Sequence, residues 1–329
     1  MTRLVHLLAP LLVVAPIFAQ SSQTPPQPPV FRSGASLVAL NVAVVDRGDQ
    51  YISGLHPRDF AIYEDGVKQA VRFFESSDVP VDLIVLLDMS ASMGDKMDIV
   101  HGAAIGFLRT LRRGDRGAIV AFNDRVNVLQ PLTGDRASLE RAVRGTTARG
   151  ATALNNALYI ALKQFGQRAL KAGEVRRQAI AVLSDGEDTC SLVSFDDVLG
   201  VARQSGVGIY TIALQSKYEM ARAKEEGARP YLSESDYAMN TLARETGALA
   251  FFPKEPDQLE SVYGSIANEL AHQYSIGYVP MNSRFDGRFR RIVVQVVSRQ
   301  DLRARTRVGY TAAPGAAAAA AGNDGGVRH

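Results

Sequence analysis

Two kinds of pattern divide this sequence, and their order along the chain limits the folds that it can adopt. From Val81 to about Gln273, short apolar strands alternate with amphipathic helices, whereas the segments on either side carry strand patterns without helices. Alternation of this kind predicts a mainly parallel sheet with helices on both faces. We therefore expect an α/β domain of the doubly wound type in the middle of the chain.

The strand-rich segments on either side are each too short to bury a core of their own. Residues 35–79 alternate apolar and polar side chains and place Asp65-Gly66 at an expected hairpin turn, and residues 274–311 again contain only strand patterns. Small sheets need a partner to be stable. The sequence therefore predicts one β-rich domain built from both chain ends, with the α/β domain of residues 80–273 inserted into it.

The first 19 residues have the pattern of a secretory signal peptide. Arg3 precedes the apolar stretch Leu4–Phe18, and Ala19 suits cleavage before the next residue. The stretch is shorter than the roughly 20 residues that a membrane span needs. We therefore predict a secreted or periplasmic protein with signal peptide 1–19 and no transmembrane segment after cleavage.

Two further segments and the single cysteine have no role in the predicted core. Residues 20–34 are Pro-rich, which predicts a linker, and residues 312–329 are rich in Ala and Gly, which predicts a disordered tail. Cys190 is the only cysteine, so an internal disulfide and a Cys-rich metal site are both excluded. We expect Cys190 to be a partly buried small residue.

The charge balance gives no reason to expect a nucleic-acid partner. The chain has 37 Lys and Arg against 34 Asp and Glu, which is a formal net charge of only +3. Near the C-terminus, Arg303, Arg305 and Arg307 alternate as they would on the exposed face of a strand. We interpret these arginines as a solvated strand face.

Local signals mark several helix ends in the α/β part. Asp135 and Ser194 stand where two helices are expected to begin, and both residue types cap helix N-termini well. Gly114, Gly206 and Gly247 stand where helices are expected to end.

Oxygen-bearing side chains cluster where the carboxyl ends of the predicted strands should lie. Asp88, Ser90 and Ser92 directly follow the apolar strand VDLIVLL and precede a helix. Thr152 precedes another helix, and Asp185 follows another strand. Ligands of open α/β sheets bind outside these strand ends. Hydroxyls and carboxylates suit hard cations, so we expect Mg²⁺, with Mn²⁺ or Ca²⁺ less favoured.

The DMSAS loop, the separate GAT and the SDGED segment together resemble the metal-ion-dependent adhesion site (MIDAS) of the von Willebrand factor type A (VWA) domain. The resemblance covers Val81 to about Gln273. It implies that Asp88, Ser90, Ser92, Thr152 and Asp185 hold the cation. It also implies a doubly wound sheet with one short antiparallel edge strand, for which Val126–Leu129 is the candidate.

The whole chain is similar to a narrower group, the secreted bacterial VWFA-related proteins of the acidobacterial type. The residues that carry this similarity are GLHPRDFAIYEDGVKQAVRFF before the α/β part and QYSIGYVP, DGRFRRIVVQV and RVGY after it. The resemblance implies an extracytoplasmic binding protein and does not specify the ligand.

These observations favour a module that binds proteins and is not an enzyme. In this hypothesis, an Asp or Glu of a partner protein completes the coordination of Mg²⁺. One alternative is a scaffold of an envelope complex that makes no metal-dependent contact. Another is a Mg²⁺-dependent hydrolase, which is less favoured because the sequence shows no paired acid and base and no Gly-rich phosphate loop.

Overall fold

The computed structural model of this protein describes residues 37–76, 79–169, 176–185, 187–214 and 233–312. The predicted signal peptide and linker lie outside these residues, as does the predicted tail from residue 313 onwards. Ala312, the first residue of the predicted tail, is buried, and its N–H donates to the Arg288 carbonyl at 3.0 Å.

The described residues form fourteen strands, β1 to β14, and six α-helices, α1 to α6, in chain order. The strands are β1 (Val38–Val45), β2 (Phe60–Glu64), β3 (Val67–Gln69), β4 (Val71–Glu75), β5 (Val81–Asp88), β6 (Arg116–Phe122), β7 (Val126–Thr133), β8 (Arg177–Ser184), β9 (Gly208–Ala213), β10 (Ala250–Phe251), β11 (Tyr274–Tyr278), β12 (Phe289–Val296), β13 (Arg303–Arg305) and β14 (Gly309–Thr311). The α-helices are α1 (Met97–Arg109), α2 (Arg136–Arg144), α3 (Leu154–Ala169), α4 (Phe195–Ser205), α5 (Glu234–Thr246) and α6 (Leu259–His272). A 3₁₀ turn, Ala91–Lys96, leads into α1.

The central sheet has six strands in the order β10-β9-β8-β5-β6-β7. All neighbours pair in parallel except β7, which runs antiparallel to β6 at one edge. Every residue of β5 is buried, as expected for a middle strand with helices on both faces. The predicted parallel sheet is confirmed, and its edge strand extends from Val126 to Thr133.

Helices cover the central sheet on both faces. One apolar core joins the sheet to α1, α2 and α6, and a second core on the other face joins it to α3, α4 and α5. Leu87 belongs to the first core and Leu86 to the second, because successive side chains of a strand point to opposite faces. The predicted doubly wound α/β architecture is therefore confirmed.

The strands from the two ends of the chain combine into two small antiparallel sheets. Their orders are β13-β1-β11-β4 and β14-β12-β2-β3, so each sheet contains strands from before and after the α/β part. In the first, Val38 lies opposite Tyr278, and in the second, Phe60 lies opposite Val296. Both sheets contribute side chains to one apolar core. The prediction of a β-rich domain built from both chain ends is confirmed.

A buried carboxylate links this β-rich domain to the α/β domain. Glu269 of α6 is fully buried, and its Oε1 accepts hydrogen bonds from Tyr210 Oη at 2.8 Å and Gln273 Nε2 at 3.2 Å. Its Oε2 accepts from Tyr51 Oη at 2.8 Å and Arg305 Nη2 at 2.5 Å. Tyr51 and Arg305 belong to the β-rich domain, so one side chain fixes the last helix of the α/β domain to it.

The interpretation of Arg303, Arg305 and Arg307 as one exposed strand face is wrong. Strand β13 ends at Arg305, and only Arg303 is exposed. Arg305 is half-buried and reaches Glu269, and its Nη1 donates to the Gly247 carbonyl at 2.6 Å. The reason is that the segment runs against the α/β domain, which offers a buried carboxylate and a carbonyl in place of water.

Most of the predicted helix ends are confirmed. The Asp135 side chain accepts a hydrogen bond from the Ala137 N–H, and Ser194 forms a capping box at the start of α4. Gly206 and Gly247 end α4 and α5 with φ of 71° and 78°, in the left-handed region that favours glycine. Gly114 also has a positive φ, of 94°, but it lies in the turn beyond the end of α1.

Candidate metal site

The carboxyl ends of β5 and β8 lie side by side where the chain changes direction across the sheet. From β5 the chain passes through α1 on one face to β6, whereas from β8 it passes through α4 on the other face to β9. The two connections therefore leave in opposite directions and open a crevice, which is where ligands of such sheets bind. Asp88 is the last residue of β5, and Asp185 directly follows β8.

Hydrogen bonds join four of the five predicted site residues. The Asp88 carboxylate accepts from the Ser90 N–H at 2.8 Å and from Ser184 Oγ at 2.5 Å. Ser92 Oγ donates to Asp185 Oδ1 at 2.7 Å and lies 3.0 Å from Ser90 Oγ. The Ser90 hydroxyl also forms a hydrogen bond with the Asp88 carboxylate, so it connects the two sides of the cluster. Two carboxylates and two hydroxyls therefore face one point at the end of the sheet.

Thr152, the fifth predicted residue, is placed by its backbone between the two loops that carry the others. Its N–H donates to Thr189 Oγ1 at 3.0 Å, and its carbonyl accepts from the Thr189 N–H at 2.9 Å. Two residues earlier, the Gly150 carbonyl accepts from the Ala91 N–H at 3.0 Å in the loop after β5. The Thr152 side chain is buried, at 5% exposure.

Lys96 is a member of this site that the sequence analysis missed. It ends the 3₁₀ turn after the serine loop, is only 7% exposed, and its ammonium contacts Asp185 Oδ2. Lysines at helix starts are usually solvated, so the residue type gave no warning. The available signal was spacing, because Lys96 lies four residues after Ser92 and can share its side of a helical turn.

Burial raises the pKa of the Asp88 carboxyl, and the nearby Asp185 acts in the same direction. Hydrogen bonds from Ser184 and Ser90 oppose that rise because they favour the charged form. The two carboxylates carry two negative charges when ionised, and the Lys96 ammonium supplies one positive charge. With both carboxylates ionised, the site therefore has a net charge of −1, which a bound cation would neutralise.

The oxygen atoms present fit a small hard cation. Adjacent ligands at 2.0–2.1 Å from an octahedral Mg²⁺ lie about 3 Å apart. The Ser90 and Ser92 hydroxyls are 3.0 Å apart, and Ser92 Oγ and Asp185 Oδ1 are 2.7 Å apart. Within the described ranges, no group of three or more His, Cys, Asp or Glu side chains could hold a metal ion. A site here would therefore rely on hydroxyls beside its two carboxylates.

The loop after β8 carries two further residues that the sequence drew attention to, Asp188 and Cys190. Asp188 accepts from the Asn155 N–H at 2.7 Å, near the start of α3, and from the Ser191 N–H at 2.9 Å, so its carboxylate holds the loop to that helix. Cys190 is exposed, and the expectation that it is partly buried is wrong. The loop carries its side chain outwards, away from both cores.

His101 of α1 is bound within the fold by Thr146. Its Nε2 lies 2.7 Å from Thr146 Oγ1, which itself donates to the Val143 carbonyl at 2.7 Å, so the ring nitrogen must be the donor. Burial lowers the pKa of His101, and Arg144 lowers it further, while Asp98 opposes the shift. His101 therefore favours its neutral form in the folded protein.

Comparison with known proteins gives a family match for the central part of the chain. Residues 83–198 match the family model of the von Willebrand factor type A domain. An uncharacterized protein of Synechocystis sp. is 27% identical over 178 residues, which are 50% of this chain and 40% of that protein. The human voltage-dependent calcium channel subunit alpha-2/delta-4 is 32% identical over 127 residues, which are 35% and 11% of the two chains. The aligned region thus covers less than half the length of these curated relatives.

Two solved structures are similar in fold. A von Willebrand factor type A protein from Catenulispora acidiphila has a TM-score of 0.48 and 13% identity, covering 85% of this chain and 75% of that one. The vWF domain of the type V pili tip protein Mfa5 from Porphyromonas gingivalis has a TM-score of 0.43 and 14% identity, covering 57% and 94%. The family match supports a von Willebrand factor type A domain in the central part of this chain.

Proposed function

We propose that this protein is a metal-dependent protein-binding module of the adhesion type. In this proposal a Mg²⁺ ion is held by Asp88, Ser90, Ser92, Thr152 and Asp185, and an Asp or Glu of a partner protein completes its coordination. The observation that carries the proposal is the hydrogen-bonded oxygen cluster at the carboxyl ends of β5 and β8. It lies within the region that matches the VWA family model, whose members include protein-binding domains.

The residues of the site divide into charged and neutral donors with different effects. Asp88 and Asp185 supply the charge that attracts a cation, and the hydroxyls of Ser90, Ser92 and Thr152 supply neutral oxygens. When bound, Mg²⁺ would act as a Lewis acid and attract a carboxylate, because neutral hydroxyls leave part of its charge unbalanced.

The loop that follows Asp185 carries an exposed apolar side chain. Leu192 is 95% exposed, and its N–H donates to Asn156 Oδ1 at 3.1 Å, which holds the loop against α3. If a partner protein covers this loop, burial of the Leu192 side chain adds favourable apolar area to the contact. We therefore expect Leu192 to contribute apolar area to the interface around the metal.

We propose no catalytic activity for the site. Asp185 is occupied by Ser92 and Lys96, and Asp88 by Ser184 and the Ser90 N–H, so both carboxylates hold the loops together. A general base needs a free position within hydrogen-bond reach of the proton that it takes. The arrangement therefore favours binding over hydrolysis.

We also propose an extracytoplasmic location, on the strength of the signal-like pattern of residues 1–19. The helices within the described ranges include none that combines the length and the apolar character needed to cross a membrane. Fractionation of the producing cells, with immunodetection of the chain and sequencing of its mature N-terminus, tests the location. Retention in the cytoplasm with an intact Met1 would contradict it.

Calorimetric titration of Mg²⁺ and Mn²⁺ into the chelator-treated full-length protein tests the metal site. We expect saturable binding near one ion per chain, which Asp88→Ala and Thr152→Ala abolish. Thr110→Ala is the matched control, because Thr110 lies at the far end of α1 and its hydroxyl donates to the Phe107 carbonyl, at 2.7 Å. If the parent protein binds neither ion, the proposed metal site is refuted and the alternative of a metal-independent scaffold is favoured.

The role of a partner carboxylate needs a separate test. Once a protein partner is known, its binding should disappear on chelation and on exchange of one Asp or Glu for Asn or Gln. A partner whose affinity survives both changes would bind through the metal-independent surface of a scaffold.

A further inference from the structure

Lys96 places a positive charge where the proposed metal site needs one. Its side chain is 8% exposed and that of Asp185 is fully buried, and the two form a direct ion pair. A buried ammonium is costly unless it is paired. Because the partner is Asp185, the pair uses one of the two carboxylates that would attract a divalent ion.

The ion pair also orders the site when it holds no metal. Asp185 Oδ2 contacts the ammonium while Oδ1 accepts from Ser92 at 2.7 Å, so the carboxylate is held from both sides. Ser92 in turn lies 3.0 Å from Ser90. Without the Lys96 ammonium, Asp88 and Asp185 would place two buried negative charges near each other with no positive charge beside them, which is electrostatically unfavourable.

We propose that Lys96 is a tethered internal cation that competes with the divalent ion for Asp185. The inference rests on the proposed function, since it concerns the ion affinity of the same site. Lys96 stabilises the metal-free form and must leave Asp185 before that carboxylate can face a divalent ion. Its four-carbon stem allows the ammonium to move to solvent while the helix start stays in place.

This arrangement gives the protein a low ion affinity in the free state and makes the partner's carboxylate more important. Displacing the ammonium costs free energy, so the net free energy of ion binding is less favourable. A partner carboxylate supplies an additional ligand and a negative charge that offset part of this loss. We therefore expect ion and partner to bind with positive cooperativity, each raising the affinity for the other by the same factor.

The test compares the full-length protein with Lys96→Met, which keeps an unbranched side chain that is one atom shorter and removes its charge. Lys68→Met is the matched control, because Lys68 is exposed on β3 of the β-rich domain, outside the α/β domain. We expect Lys96→Met to raise the affinity for Mn²⁺ and Mg²⁺ at least tenfold in calorimetric titration, with no change for Lys68→Met. In chelator, the unfolding temperature of Lys96→Met should be lower than that of the parent, and saturating Mg²⁺ should reverse the order.

A second readout follows Lys96 itself. Acylation of lysines, measured by mass spectrometry, should leave Lys96 protected in chelator and modify it at least fivefold faster in saturating Mn²⁺. Modification of the exposed Lys254 should not change with the ion.

The outcomes separate this inference from the proposed function. If the parent binds the ion and Lys96→Met binds it with unchanged or lower affinity, the competition is refuted and the metal site stands. If neither protein binds Mg²⁺ or Mn²⁺, both the metal site and the competition are refuted. Equal acylation of Lys96 with and without Mn²⁺, in a protein shown to bind it, also refutes displacement.

Discussion

Replacing Gly247 with alanine should destabilise this protein far more than the same change at Gly206. Both glycines end helices with a positive φ, of 78° and 71°. A Cβ at Gly247 would lie 2.3 Å from the Arg307 backbone nitrogen and 2.4 Å from the Thr306 carbonyl carbon. A Cβ at Gly206 would meet only the end of the Arg307 side chain, at 3.4 Å. The two positions thus share a backbone conformation and differ in what they face.

The expected cost follows from these two terms. Alanine in the left-handed region costs about 1–2 kcal/mol, and this term applies to both variants. At Gly247 the segment around Arg307 must also move by about 1 Å, and overpacking of a filled site costs about 1–3 kcal/mol more. Movement of that segment strains the hydrogen bond from Arg305 Nη1 to the Gly247 carbonyl, which is 2.6 Å long. We expect Gly247→Ala to lose about 2–5 kcal/mol of unfolding free energy.

Urea unfolding followed by far-UV circular dichroism measures the difference, since the chain has no tryptophan for fluorescence. With an m-value of about 2 kcal/mol/M, the Gly247→Ala midpoint should lie about 0.5–1.5 M below that of Gly206→Ala. Equal midpoints for the two variants would refute the close approach of the C-terminal segment to the end of α5. That result would also contradict the contact between the β-rich domain and the α/β domain at this point.

Three further changes test other contacts. Ser184→Ala removes the hydroxyl that donates to Asp88 at 2.5 Å and should lower the unfolding free energy by about 1–3 kcal/mol in chelator; an unchanged urea midpoint would contradict that bond. Glu269→Gln leaves the Arg305 charge without its carboxylate and should lower the unfolding free energy by about 1–3 kcal/mol, which is less than for a fully buried pair because Arg305 is partly exposed. The thermal unfolding midpoint of Glu269→Gln should therefore fall, whereas that of Glu260→Gln, at an exposed position, should not. Burial lowers the pKa of His101, so the unfolded chain binds this proton more tightly than the folded protein does. The unfolding free energy therefore keeps its full value above pH 6.5 and decreases as the pH falls through the folded pKa. His101→Gln should make the decline of stability below pH 6.5 shallower, and parallel pH profiles of the two proteins would contradict the shift.

The sequence by itself determined the fold class because the relevant signals are local. Apolar strands that alternate with amphipathic helices can bury their surfaces only in a layered α/β arrangement. The two flanking segments cannot bury a core alone, which predicted that they combine. Helix caps such as Ser194 were readable because a cap satisfies backbone groups within three residues of itself.

The oxygen-bearing site residues were also readable from the sequence. Asp88 and Asp185 each follow an apolar strand, and the carboxyl ends of neighbouring parallel strands meet at one edge of the sheet. The prediction needed only that β5 and β8 be neighbours, and they are. The pattern could not predict the hydrogen-bond partners of these side chains, because those partners lie far away in the sequence.

The tertiary structure alone decided which charged side chains are buried and what they contact. Lys96 and Asp185 are separated by 89 residues, and Arg305 and Glu269 by 36, so no local sequence pattern predicts either ion pair. Arg305 alternates with Arg303 as an exposed strand residue would, yet the inserted domain covers it and supplies a carboxylate. Burial of a charge is settled by the surfaces that meet when the two domains and the two loops come together, because only that contact removes the water and provides the opposite charge.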